Sequence, residues 1–259
     1  GMLLAAFTAT ATLSREIESR TVLAVVSKPV PRWALVVGKY LGVAAAIGLA
    51  YWLLAVTFLI TVRHRVQTSV RVEDTYDGPV LAFGILAVGL ALGVSAAANY
   101  LYRRPFPAAF SLASALAATG AWGLISCVSR SWRLQHPATD LDPQLAIGLA
   151  MVFMAVLVLA AVAVAASTRL GRTATLLACS GCFLLGLVGE YLLALGGPRL
   201  VPVLAAVVPN LQFFWPADAL TQGHAIPAWH LGWLAGYALA LITAALALAV
   251  LLFQSRDVG

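Results

Sequence analysis

The stretch LAIGLAMVFMAVLVLAAVAVAAS, residues 145–167, runs for 23 residues without a charge, a proline or an amide side chain. A helix rises about 1.5 Å per residue and the hydrocarbon core of a bilayer is about 30 Å thick, so about 20 such residues cross it. A water-exposed helix of this length would need a polar face somewhere along it, and this one has none. Lipid is the solvent that such a segment requires.

Outward from it the same reading finds five more apolar runs, at residues 40–62, 79–101, 107–128, 173–195 and 229–253. Their length and their lack of apolar/polar alternation exclude the strands of a membrane β-barrel. Composition agrees: 62% of the 259 residues are hydrophobic and 10% are charged, with a mean hydropathy of +0.94, whereas soluble domains are about 25% charged. Too few polar residues remain to cover a water-soluble core. The expected fold is therefore all-α, a polytopic transmembrane helical bundle with six full spans in one domain over residues 1–259. Residues 2–13 are apolar over half a span only, and read first as the tail of a truncated N-terminal span, the alternative being a segment that starts at Met2 and only dips into the bilayer.

The net charge of +6 is carried by residues scattered singly and in pairs between the apolar runs. That scatter makes no nucleic-acid face; it marks topology. Taken alternately, one set of connectors holds ten Lys/Arg: five over residues 13–39, then Arg103, Arg104, Arg169, Arg172 and Arg256. The other holds six: Arg63, Arg65, Arg71, Arg130, Arg133 and Arg199. By the positive-inside rule the first set is cytoplasmic, the C-terminus included. G-x-x-x-G pairs at Gly38/Gly42, Gly89/Gly93 and Gly232/Gly236 offer smooth faces for close helix packing.

Catalytic signatures are missing. A phosphate-cradling G-x-x-x-x-G-K-[ST] loop cannot be built, because the sole Gly-Lys, Gly38-Lys39, is followed by Tyr40 and has Trp33 where the first glycine belongs. The histidines show no metal-ligand spacing, and no serine sits in G-x-S-x-G. Cys179-Ser180-Gly181-Cys182 has the C-x-x-C form but lies in an apolar run, where a thiol serves as a small hydrophobe. The expectation is a chain with no cofactor, no metal and no active site of its own.

Residues 14–33 stand apart from this pattern. Arg15, Glu16, Glu18 and Arg20 precede an apolar patch of Val22, Leu23, Val25 and Val26, and Pro29 and Pro31 then end the helix. This reads as an amphipathic helix on the cytoplasmic face followed by a rigid turn. Lys28, Arg32 and Lys39 suit anionic headgroups, while the patch equally suits a partner protein.

The pattern Glu16-x-Glu18-x-Arg20-Thr21, then Ser27-Lys28-Pro29-Val30-x-Arg32, then Gly38-Lys39-Tyr40-Leu41-Gly42 resembles the cytoplasmic signature of ABC-2-type transporter permeases. Ser167-Thr168-Arg169-Leu170-Gly171, the run from Val208-Pro209-Asn210 to Asp218-Ala219-Leu220, and Phe253-Gln254-x-Arg256-Asp257-Val258-Gly259 extend the resemblance over nearly the whole chain. In that family the segment follows the second span; this chain departs from the pattern in that the family's first span is missing, and in having more full spans after the coupling segment than the usual four. The resemblance implies a membrane subunit of an ATP-binding-cassette exporter, in a bacterial inner membrane, paired with a second permease subunit. ATP would bind a separate cytoplasmic subunit, coupled through Glu16, Glu18, Arg20, Thr21, Lys28, Pro29 and Arg32.

Residues 196–228 are long and apolar for a plain external connector. Five prolines punctuate them, and Phe213, Phe214, Trp215 and Trp229 suit headgroup depth. Short helices dipping into the outer leaflet, matching the family's re-entrant element, and an interfacial loop both fit. Glu190 is the sole acidic residue within an expected span; it either lines a cavity or reaches the headgroups. With Asn210, Gln212 and Asp218 it forms the candidate translocation path. A non-transporting anchor or assembly subunit, and a secondary transporter, are the alternatives from other classes; the latter calls for several intramembrane charges where this chain has Glu190.

Overall fold

A computed structural model describes residues 31–64, 77–140, 142–194 and 208–254 of the chain. Six helices in it are long and apolar enough to cross a membrane. They are α1 (Arg32–His64), α2 (Gly78–Tyr102), α3 (Phe106–Cys127), α4 (Pro143–Ser167), α5 (Arg172–Ala194) and, after a short α6 (Ala217–Thr221), α7 (Ala228–Gln254). Among the described residues there are no strands beyond one isolated bridge, Val128 with Leu134.

Proline sets most of the helix starts. Pro31 precedes α1, Pro79 lies in the first turn of α2, Pro105 caps α3, Pro143 opens α4 and Pro227 precedes α7. The first turn of a helix has no use for those N–H groups, so proline's missing donor costs nothing there and its fixed φ suits the turn. The boundaries consequently fall within two residues of those expected, except in α1. That helix begins at Arg32, eight residues before the expected start at Tyr40. Lys39 ends an apolar run but not a helix, since a lysine stem is a good helix former. At 33 residues α1 is about 50 Å long, well beyond the hydrocarbon thickness.

The chain divides into two compact units. One comprises Gly1–Ile47 and Gln144–Gly259, and α4 is its centre. Met151, Ala155, Val156, Val158, Leu159, Ala160, Ala161, Ala163 and Val164 are each 3% exposed or less. Val36, Tyr40, Val43 and Ile47 of α1, spaced for one helix face, pack with α4 residues Val156 to Ala165, with Cys179 of α5 and with Ala249 of α7. Toward the other end of α4, Met151, Ala155, Val158 and Leu159 pack with Leu211, Phe214, Ile226, Leu234 and Ala238. Lipid supplies no hydrophobic drive between helices, so close van der Waals packing on small residues must, and the alanines of α4 provide it.

The expected G-x-x-x-G contacts are not made among the described residues: there a Cβ built on any of Gly38, Gly42, Gly89, Gly93, Gly232 or Gly236 meets nothing within 4 Å. The pattern marks smooth faces, and the close approaches fall instead at Gly148 and Gly186.

The second unit, Gly48–Pro143, comprises the C-terminal half of α1 and the antiparallel pair α2 and α3. Val80, Ala121 and Ile125 form its core, with Ile60, Phe83 and Ala87 packed around them. Trp52 donates its indole N–H to Thr119 Oγ1 at 2.8 Å, joining α1 to α3. Between α2 and α3 the chain reverses sharply through Arg103, at φ 52°, and Asn99 closes the turn by donating to the Arg104 carbonyl at 2.8 Å.

Candidate functional site

In the first unit, residues 208–227 fold down onto the ends of three spans. Glu190, near the end of α5, accepts a hydrogen bond from Asn210 Nδ2 at 2.6 Å. Asn210 Oδ1 accepts from the Gln212 N–H at 2.9 Å, and the Asn210 N–H donates to Tyr237 Oη of α7 at 3.3 Å. One residue on, the Leu211 N–H donates to the Gly186 carbonyl at 2.9 Å. Gly186 allows this approach, since a Cβ there would stand 2.7 Å from the Pro209 carbonyl and 2.8 Å from Leu211 Cγ. The turn Gln212–Phe214 follows, and Phe214 stacks on Tyr237 with ring centroids 5.9 Å apart. Beyond it, Pro216 and Leu220 close on Gly148 of α4, and Gln144 Oε1 accepts from the Ile226 N–H at 2.7 Å.

Of the four candidate path residues, Glu190, Asn210 and Gln212 are thus brought together, with Asn210 as the hub. Asp218 stands outside that cluster, exposed in the first turn of α6, its carbonyl accepting from the Gln222 N–H. Phe213, Trp215 and Trp229 are exposed as headgroup-depth rings would be. Phe214 is not: at 1% exposure it belongs to the core. Spacing alone could not separate it from Phe213, because a 3₁₀ turn sends adjacent side chains to different sides.

A second polar cluster, in which Arg63 and Arg130 were expected only as markers of topology, closes one end of the second unit. Asp77 is buried at 2% exposure and caps α2, its carboxylate accepting from the Val80 N–H at 3.3 Å. Its Oδ2 lies 3.5 Å from Nε of both Arg63 and Arg130. At that length the contacts are coulombic rather than hydrogen-bonded. Arg63 also donates to the carbonyls of Ile125 and Val128 at the end of α3, and Arg130 donates to the Arg63 carbonyl at 3.1 Å. Three helix termini are tied through one carboxylate. The sequence signal was present: an aspartate directly before Gly78-Pro79 is an N-cap signature.

At the other end of the first unit, Ser167 and Thr168 turn back to the carbonyls of Val164 and Ala165 at 2.8 and 2.7 Å. Arg169 Nε donates to the Leu252 carbonyl at 3.1 Å and so satisfies the end of α7. Cys179 is buried and Cys182 packs against the apolar cluster of Met151, Ala155, Leu211 and Phe214, as small apolar side chains do.

The family model for ABC-2 family transporter proteins matches residues 1–258, which is almost the full length. The chain belongs to the ABC-2 family. No curated protein and no solved structure matches it with significance. Membership makes this ABC-2 chain a membrane transport component, and the six spanning helices among its described residues make it multi-pass. Of its expected coupling residues, Glu16, Glu18, Arg20, Thr21, Lys28 and Pro29 lie outside the described residues, as do the half-span at residues 2–13 and residues 196–207. Arg32 is the first residue of α1.

Proposed function

We propose that this ABC-2 chain is the permease subunit of an exporter, forming the translocation path with a second membrane subunit, identical or related, and driven by separate cytoplasmic ATPase subunits. The observation that carries this reading is the family match over residues 1–258 on a chain with six spanning helices. Residues 14–33 receive the motion of the ATPase through Glu16, Glu18, Arg20, Thr21, Lys28, Pro29 and Arg32. They lead directly into α1, whose first turn starts at Arg32, so a push on the segment is delivered along a continuous helix. The Lys/Arg balance supports a cytoplasmic location for that segment, for Arg103 and Arg104, and for Arg169.

On the opposite side residues 208–227 act as the re-entrant element that caps the path, tethered through Glu190, Asn210 and Gln212. Irregular backbone is tolerated at membrane depth where protein covers it, and the contacts to α4, α5 and α7 give that cover. The double charge reversal Glu18→Arg/Arg20→Glu is expected to abolish co-purification with the ATPase or to uncouple its hydrolysis from transport. A double variant that keeps both would refute the coupling assignment.

A further inference from the structure

Between α2 and α3 lies a half-open groove of about 150 Å³, lined by Phe83, Leu86 and Leu90 on one side and Gly120, Ala121 and Leu124 on the other. Every lining side chain is apolar. Phe83 lies five residues into α2 and Leu124 three residues before the end of α3, so the groove opens within about two turns of the end that carries Asp77.

Next to it stands a tight turn. Ser129 donates its N–H to the Arg133 carbonyl at 2.8 Å, and Val128 bridges to Leu134. Trp132, at φ 61°, is 59% exposed, with its ring centroid 6.2 Å from that of Phe83. Its indole fits against Gly78, where a Cβ would stand 3.1 Å from Nε1. Arg130 and Arg133 of the same turn are exposed. Asp77 is shared by two guanidinium groups, Arg63 and Arg130, and the turn itself, residues 129–133, carries two arginines and no carboxylate.

A cationic, tryptophan-bearing turn over an apolar slot in a bilayer matches an amphiphile with an anionic head. We propose that this face binds an anionic phospholipid of the adjoining leaflet, with an acyl chain in the α2–α3 groove and the phosphodiester on Arg130 and Arg133. The alkyl chain is the filler at hand, because an empty slot forfeits dispersion contacts on every wall. The arginines select the head through charge and paired N–H donors. The inference rests on membership of a membrane family and is independent of the proposed ATPase coupling.

Native mass spectrometry of the delipidated full chain, titrated with phosphatidylglycerol or phosphatidylcholine, tests it. Wild type is expected to retain phosphatidylglycerol in preference. Arg133→Gln, on an exposed turn, should lower that retention roughly fivefold, the contribution of one cation at a membrane surface, and leave phosphatidylcholine unchanged. Gly120→Leu, placed where a Cβ meets nothing within 4 Å, fills the groove and should lower retention of both lipids. Equal retention of the two lipids by wild type, or wild-type retention of phosphatidylglycerol by both variants, overturns the proposal. So does Gly120→Leu changing the oligomeric state with lipid retention intact, which would give the groove to a second copy of the chain.

Discussion

The Asp77 carboxylate, itself buried, serves an N–H at the start of α2 and two guanidinium groups at once, of which Arg63 is largely buried and Arg130 is exposed. Removing one member of a buried ion pair leaves the other charged and uncompensated, which costs about 3 kcal/mol or more. Asp77→Asn keeps a cap acceptor but not the charge, so its melting temperature in detergent should fall clearly. Asp77→Ala also loses the cap and should fall further, by the equivalent of about 1 kcal/mol. If the two variants melt alike, the capping role is wrong. Glu190 makes the opposite case. Glu190→Gln retains an acceptor for Asn210, so stability should change by less than about 1 kcal/mol. Lower transport at unchanged stability would then assign the negative charge to the path, and unchanged transport would remove Glu190 from it.

At the scale of elements, α4 and the segment 208–227 depend on small residues for opposite reasons. α4 is a buried helix whose alanines admit its neighbours; Ala160 and Ala161 are both 0% exposed. Ala160→Leu overpacks that contact and should destabilise by about 1–3 kcal/mol, read as an earlier loss of the monodisperse peak on heating. At Gly186 the neighbour is backbone, the Pro209 carbonyl, and cannot step aside by changing rotamer. Gly186→Ala should therefore loosen the 208–227 element itself, seen as faster proteolysis within it while the spans stay intact. Gly189, where a Cβ meets nothing within 4 Å, is the matched control: Gly189→Ala should leave proteolysis as in wild type.

For the whole molecule, the connectors at the two ends of α3 must lie on opposite sides of the membrane if α3 spans it. In a variant with Cys127, Cys179 and Cys182 replaced, a single cysteine at Ser131 should react with a membrane-impermeant maleimide in intact cells. One at Tyr102 should react only after permeabilisation. The reverse pattern would invert the proposed orientation and with it the cytoplasmic location of residues 14–33. Labelling of both from one side would remove α3 from the set of spans.

The spans were legible residue by residue because hydrocarbon makes one severe demand, about 20 apolar residues with every backbone donor satisfied inside the helix, and proline then marks where most of the helices start. The early start of α1 escaped because a lone lysine interrupts hydropathy without interrupting a helix. Only the tertiary structure decided which polar groups meet. Asp77 finds Arg63 and Arg130, and Glu190 finds Asn210, across separations that no local spacing encodes. It also moved Phe214 into the core, and among the described residues Gly148 and Gly186, not the G-x-x-x-G glycines, took the close contacts. Crossing a bilayer is a property of each segment alone, whereas a contact between segments depends on how the helices rotate and pack, and that is fixed by all of them together.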